Sequence, residues 1–557
     1  MRVRSRWGRS ALAPRPRWAR AALLALVAFA LLRSVLWASV QPAWLAPDED
    51  YHWLYINYLV EQHTVPSLDK PFYTAELFKG AYLTKQGVYL LGPRTNYSGS
   101  PHAVLPRLGG PKSERRPAPP KPRPVLHPPG YHLGGALVDA ILWNKVSVTR
   151  MTAIRYYSAL LGALTIFFAW LLAAQVLARE WQRLAATALA ATQPILAFSA
   201  STITNDVAVA CVLTATLAWC AWMLRSPPVS RQGIGLGLAL AAAVLVKATM
   251  LSLLIVAAAV LVLQWRTYPE ARRELLGTLK WTVALPAVLA GWWYVRLVVV
   301  TGSVLGERGS LTSAQGAHGP GILHAPGIAW HWLSDVYRSY WFDYLSYEVR
   351  RTDVWFWLPL VGIGLVAIAF VALLARLRGT LRAPDHPELR QVLVITLTAL
   401  LLLVPPFALD VLRGARGLAF TTEQGRFLTP AYPALAVIAV LALRELSRWR
   451  ALAYPLAVAT LVGAAFVLYW HTWIVWVLER FYGPIGGHWL RALRHASYDK
   501  PTFVTQWSLA ALLVAALLAF VCAYVVSVWG AWSDGSAMSE VPAARLRRRS
   551  KAEEAYA

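Results

Sequence analysis

The chain has 557 residues, 57% of them hydrophobic and only 15% charged, with a formal net charge of +26 from 54 Lys+Arg against 28 Asp+Glu. That balance excludes an ordinary water-soluble globular protein and describes an integral membrane protein. It does not call for nucleic acid as a partner, because the basic residues fall mostly between apolar spans, where the positive-inside rule puts them.

The N-terminus, 1–19, is Arg-rich and leads into an apolar run over 20–40 with no small-residue cleavage site, which reads as an uncleaved first transmembrane helix with a cytoplasmic N-terminus. Further spans are expected at 152–178, 184–202, 206–225, 233–246, 249–265, 279–300, 354–377, 391–410, 427–444, 451–476 and 506–530, about twelve crossings in all. The run 233–265 reads as a hairpin, because basic clusters flank it on both sides. Threaded from a cytoplasmic N-terminus, the Arg/Lys-rich connections and the basic tail, 531–557, fall inside. The long loops 41–150 and 303–353 fall outside, separated by helices over 151–302 and followed by helices over 354–530. Cys211, Cys220 and Cys522 all lie in apolar spans and form no disulfide framework or metal spacing.

The first outer loop opens with Ala46-Pro47-Asp48-Glu49-Asp50-Tyr51-His52. Pro47 suits a helix start, and the three acids would occupy the first turn and complement the helix dipole. Tyr51, Leu54, Tyr55, Tyr58 and Leu59 recur at helical spacing, so the helix is expected to lie along the membrane interface, with Asp48 and His52 on one face. Two readings stand side by side: the acids cap a helix, or they carry chemistry. The later stretch 106–129 is Pro-rich and basic, and its expected state is extended.

Ionisable residues inside or at the ends of membrane spans are functional candidates by default. Asn205, Asp206, Lys247, Arg296 and Arg426 all fall at outer ends of spans, at the depth of Asp48. Carboxylates facing several fixed cations suit a phosphorylated lipid, although any one cation alone also fits snorkelling to headgroups. The loop 303–353 carries His318, His324, His331, Asp335, Tyr337, Arg338, Tyr340, Trp341, Asp343 and Tyr344, which suit sugar stacking and interface anchoring alike.

The order of these motifs resembles the GT-C superfamily of polyprenyl-phosphate-dependent glycosyltransferases, and within it an actinobacterial-type family of predicted membrane glycosyltransferases of unknown function. The residues that carry the resemblance are Pro47-Asp48-Glu49 with His52, His127-Pro128-Pro129-Gly130-Tyr131, Asn205-Asp206, Trp292 to Arg296, and Gln424 to Pro430. The chain departs from the pattern where Asn205 abuts Asp206 without an intervening Pro, where Leu297 replaces an Asn, and where Phe427 replaces a Tyr.

The resemblance implies an all-α, GT-C-like bundle whose large first loop carries interfacial helices. It implies transfer of a sugar from a polyprenyl-phosphate donor to an envelope glycan, glycolipid or protein at the outer face. Asp48 would be the base, assisted by Glu49, and inversion is the default outcome. His52, His127, Asn205, Asp206, Lys247, Arg296 and Arg426 would bind substrate, with Arg426 and Lys247 or Arg296 on the lipid phosphate. Mg²⁺ or Mn²⁺ on Asp48 and Glu49 stays open, since members of the superfamily differ in metal need. The rival function is a transporter or flippase of lipid-linked saccharides, which would place its charges at the bilayer midplane.

Overall fold

The structure is a computed structural model that describes residues 17–42, 46, 48–66, 73–74, 115–116, 126–304, 321–341, 354–378, 387–416, 425–446, 453–470, 475, 478–479, 482, 488–497 and 500–533. Pro47, Gln424, most of the Pro-rich stretch, His318, Asp343, Tyr344 and most of both basic termini lie outside the described residues.

The protein is a polytopic helical membrane protein. Among the described residues, nine helices are long and apolar enough to cross a bilayer, and two shorter apolar helices, Gln232–Val246 and Tyr454–Tyr469, accompany them. In chain order the helices are α1 (Arg17–Val40), α2 (Glu49–Gln62), α3 (Gly130–Ile141), α4 (Ser147–Val176), α5 (Glu180–Ala191), α6 (Pro194–Ser199), α7 (Asp206–Met223), α8 (Gln232–Val246) and α9 (Ser252–Thr267). They continue as α10 (Arg272–Thr301), α11 (Ala325–Trp341), α12 (Val354–Leu377), α13 (Glu388–Ala415), α14 (Tyr432–Leu446), α15 (Ala453–Tyr469), α16 (Trp489–Ala496) and α17 (Gln506–Ser533). The described strands are two-residue pieces, Tyr73–Thr74 and Arg115–Arg116, paired antiparallel.

The expected crossing over 184–202 is instead two helices, α5 and α6. Pro194 has no N–H to donate and disfavours helical backbone at the residue before it, so the run breaks at Thr192–Gln193. Gln193 caps the new start by accepting a hydrogen bond from the Ile195 N–H at 3.2 Å. The freed carbonyl of Ala191 accepts from the guanidinium of Arg33, buried on α1. Both helices are enclosed by protein, which is where a broken backbone is tolerated in a membrane protein. The run 233–265 likewise divides into two helices, separated at Lys247, whose backbone is extended at φ −156°, ψ 136°.

The bundle's interior is formed by α1, α4, α5, α6 and α7, with α17 packed along α1 and α8 along α10. α10, α12 and α17 show apolar side chains on their outer surface, Val288, Val299, Ile368, Val371 and Leu518 among them, as lipid-facing helices do. The exit of α1 into the first loop is tied down from several sides. Arg155 on α4 donates to the carbonyls of Ala38, Gln41 and Pro42, Lys500 donates to Gln41 O, and Tyr482 donates to Val40 O. Ala38 and Val40 carry carbonyls that a helix leaves unpaired at its C-terminus, Gln41 and Pro42 follow directly, and two of the three donors are cations that also complement the dipole.

Candidate active site

α2 starts one residue later than the sequence suggests. Glu49 is its first residue, and Asp48 stands before it with left-handed backbone, φ 62° and ψ 6°. Such a conformation costs a non-glycine residue roughly 1–2 kcal/mol, and Asp is among the side chains that tolerate it best. Asp48 makes no side-chain cap to the helix. Capping, the plain explanation of an acid at this position, does not account for it. Nor does α2 rest along a lipid surface: Glu49 and the run His52–Leu59 are buried by the surrounding protein, with α2 packed on α3, Tyr55 stacked on His132 and Trp53 beneath the Arg150 guanidinium of α4.

The two neighbouring acids go to different places. Glu49 is fully buried, with both carboxylate oxygens on Arg155, at 2.8 Å to Nε and 2.6 Å to Nη2. The Ile203 N–H also donates to Glu49 at 3.0 Å. Asp48 turns outward, 51% exposed, and meets Arg426 at 2.6 Å. The metal pair envisaged for Asp48 and Glu49 does not fit this arrangement, since Glu49's oxygens are occupied by a guanidinium. Among the described residues no group of three or more His, Cys, Asp or Glu side chains is placed to hold an ion.

Arg426 opens a chain of alternating charge. Its Nη2 holds Asp48, its Nε lies 3.9 Å from Asp206, and Asp206 is held by Lys247 Nζ at 2.7 Å. Arg426, Asp206 and Lys247 are 10%, 6% and 15% exposed, so these pairs sit where the effective dielectric is well below that of water. Phe427 lies between the two cations, with Arg426 5.3 Å and Lys247 5.2 Å from its ring centroid, a cation–π contact on each. Asn205 ties the turn before α7 to the end of α8 by donating to Val246 O at 3.3 Å, which sets Lys247 beside Asp206.

Three histidines back the ionic chain. His52 Nδ1 and His132 Nε2 share a hydrogen bond of 2.9 Å, the His127 ring lies 5.5 Å from His52, and Tyr55 stacks on His132 at 4.0 Å. Burial, and the charges of Lys247 and Arg426, push His127 down to about 4 against the opposing pull of Asp206 and Asp48. Burial and the neighbouring His127 hold His52 well below the usual imidazole range, and burial with His52 does the same to His132. All three are therefore neutral near pH 7, and each can donate or accept a hydrogen bond without adding charge.

Of the residues singled out in the sequence, the fold brings Asp48, Asp206, Lys247 and Arg426 into one chain, with His52 and His127 beside it and Asn205 supporting it. Arg296 is not part of that chain: it donates to Pro66 O at 2.6 Å and lies over the Trp293 ring. Arg155 and His132 were not anticipated. An Arg within an apolar span is a signal that would have singled out Arg155. His132 follows His127 by five residues and is turned back toward it by the start of α3.

No family profile and no curated protein sequence matches the chain. Among solved structures it is similar to ArnT from Cupriavidus metallidurans bound to undecaprenyl phosphate, at 16% identity and TM-score 0.43, over 92% of this chain and 78% of that one. It is also similar to the Archaeoglobus fulgidus oligosaccharyltransferase in complex with zinc and sulfate, at 13% identity and TM-score 0.42, over 84% of this chain and 55% of that one. The archaeal oligosaccharyltransferase AglB from Archaeoglobus fulgidus, in complex with an inhibitory peptide and a dolichol-phosphate, gives 16% identity and TM-score 0.32, with 91% and 55% coverage. Similarity at this level assigns no residue a role.

Proposed function

We propose that the protein is a GT-C-type glycosyltransferase that moves a sugar from a polyprenyl-phosphate donor to a hydroxyl of an envelope glycan, glycolipid or protein at the outer face of the cytoplasmic membrane. The observation that carries this reading is the contact between Asp48 and Arg426. It joins the acidic motif after the first helix to the Gly425–Pro430 motif 378 residues away, and it leaves the carboxylate half open to incoming molecules.

The resting site is close to neutral: two carboxylates, two cations and neutral imidazoles. An arriving phosphodiester brings one negative charge and competes with Asp48 for Arg426, whose fork and the Lys247 ammonium are the available counter-charges. Phosphate binding then releases Asp48 from its partner at the moment the acceptor needs a base. The acceptor oxygen attacks the anomeric carbon as the bond to the lipid-phosphate oxygen breaks. The bonding pair leaves on the phosphate, stabilised by Arg426 and Lys247, and the acceptor's proton passes to Asp48. Attack from the face opposite the leaving group inverts the anomeric centre. Glu49 takes no part in these steps; it fixes the backbone from which Asp48 projects. In this reading the loops 41–150 and 303–353 face outside and both termini are cytoplasmic.

The test is to incubate purified protein with a panel of polyprenyl-phosphate sugars and candidate acceptors and to measure free polyprenyl phosphate. Release that depends on acceptor supports the transferase. Movement of intact lipid-linked sugar across proteoliposomes, with no bond broken, would replace it with the transporter.

A further inference from the structure

The loop between α10 and α12 contains α11, whose contacts lead to the phosphate-binding segment. At its middle Trp332 donates to the buried Asp410 of α13 at 3.0 Å. Tyr337 donates to the carbonyl of Phe356 on α12. At its end Ser339 accepts the backbone N–H of Gly425 at 2.7 Å, while its own hydroxyl proton goes to Asp335 O at 2.6 Å. Gly425 is the residue before Arg426, and the fit there is close. A Cβ on Gly425 would lie 2.5 Å from both Cβ and N of Tyr340, so only glycine lets α11 approach this far. Tyr340 itself is buried against Tyr432, at the start of α14.

We infer that Ser339 is a positioning residue for Arg426: through the Gly425 N–H it fixes the backbone from which the guanidinium reaches Asp48 and an incoming phosphate. This rests on the proposal that Arg426 binds the donor phosphate. Arg426 sits on a short 3-10 turn, Gly425–Ala431, rather than on a long helix, so its aim depends on what braces that turn. Ser339 is placed to do so because its hydroxyl has one proton, committed to Asp335, and lone pairs left for Gly425. The bond is polar and only part-buried, which means its loss leaves the bundle's apolar packing intact.

The experiment compares Ser339→Thr with Ser339→Val, which match in shape and differ in the hydroxyl, for binding of sugar-free undecaprenyl phosphate in detergent, with thermal stability measured alongside. S339T is expected to bind like wild type. S339V is expected to bind about fivefold to tenfold more weakly, the worth of one hydrogen bond in a site of this kind. Combined with Arg426→Ala, the S339V effect should vanish, because a residue that acts through Arg426 has nothing left to position. Should S339V not fold, Ser339→Ala read against S339T makes the same comparison. If R426A alone weakens binding while S339V and S339T bind alike, the inference about Ser339 falls and the reading of Arg426 stands. If R426A binds undecaprenyl phosphate as wild type does, both fall. A loss in S339V that persists undiminished in the R426A background would mark Ser339 as a general stabiliser and overturn its positioning role.

Discussion

Asp48 and Arg426 meet at 2.6 Å, a half-exposed carboxylate against a guanidinium that is only 10% exposed. The asymmetry gives each a separate role. Arg426 is held in place by its surroundings, while Asp48 is free to exchange partners. Asp48→Asn keeps the size and the polar character of the side chain but cannot take a proton. Turnover is expected to fall by roughly a hundredfold or more. Folding should be near normal, because Asp48 makes no side-chain cap to α2. Donor affinity should hold or rise as Arg426 loses its resting partner. Turnover of folded D48N within a few-fold of wild type would remove Asp48 from the mechanism.

Arg426→Ala is expected to weaken donor binding severely. Arg426→Lys should recover only part of it, because an ammonium can hold one of the two oxygens that the planar fork reaches together. Lys247 contributes to the same phosphate but does not replace the fork, since its single ammonium is shared with Asp206 at 2.7 Å. Direct binding of a polyprenyl-phosphate sugar to the two variants makes the check. Equal affinity in R426A and wild type would reduce Arg426 to an anchor for Asp48.

Much of this site was legible in the chain. Asp206, Lys247 and Arg426 sit at span ends near the depth of Asp48, and span ends can be read from hydropathy and charge. What the sequence could not divide is the pair Asp48 and Glu49. Adjacent residues at a helix start differ in direction by about a third of a turn, and here the left-handed backbone at Asp48 separates them further. One carboxylate faces the opening and the other faces a buried Arg. Arg296 is expected at the depth of the site's cations and yet bonds Pro66 O and lies over Trp293, because depth alone does not specify a side chain's partners. The broken run at 184–202 hid behind its hydropathy; the single Pro194 was the signal against a continuous helix.

The alternation of Arg/Lys-rich and aromatic loops predicts the orientation. Reporter fusions placed after Pro120 and after Gly319 are expected to report the outside, and one after Ala383 the inside. An inside signal at Gly319 would put the loop carrying Ser339 on the wrong face and overturn the arrangement.

The histidine cluster gives a pH dependence with a definite sign. His52, His127 and His132 are all held below their ordinary value, so the unfolded chain binds more protons than the folded one as pH drops through that value. Their contribution to stability is fully present above about pH 6.5. It is lost progressively as the pH falls toward about 4, where His127 protonates in the folded protein. The groups facing the cluster are Asp48 and Asp206, which favour its protonation, and Lys247 and Arg426, which oppose it. Thermal unfolding in detergent from pH 7.5 to 4.5 should show a falling midpoint, and His132→Gln should flatten it by removing one imidazole that must be protonated on unfolding. A midpoint equally steep in wild type and H132Q would mean that His132 is not a source of the dependence.

Glu49 provides the sharpest contrast with its neighbour. It is enclosed with Arg155, each carboxylate oxygen is hydrogen-bonded, and the pair links the end of α1, the start of α2 and the turn that leads to Asp206 through the Ile203 N–H. Glu49→Gln removes the charge and leaves the Arg155 cation buried without its counter-charge. Breaking a buried pair from one side costs about 3–5 kcal/mol, several times what an exposed surface pair is worth. E49Q is therefore expected to express poorly or unfold at a markedly lower temperature than D48N, and the molecules that do fold should retain measurable turnover. Added Mn²⁺ should not restore the variant, since the lost partner is a guanidinium contact. The check is thermal stability and turnover per folded molecule for E49Q and D48N side by side. Normal stability in E49Q with turnover abolished would reverse the assignment and place Glu49, rather than the clamp it forms with Arg155, among the reacting groups.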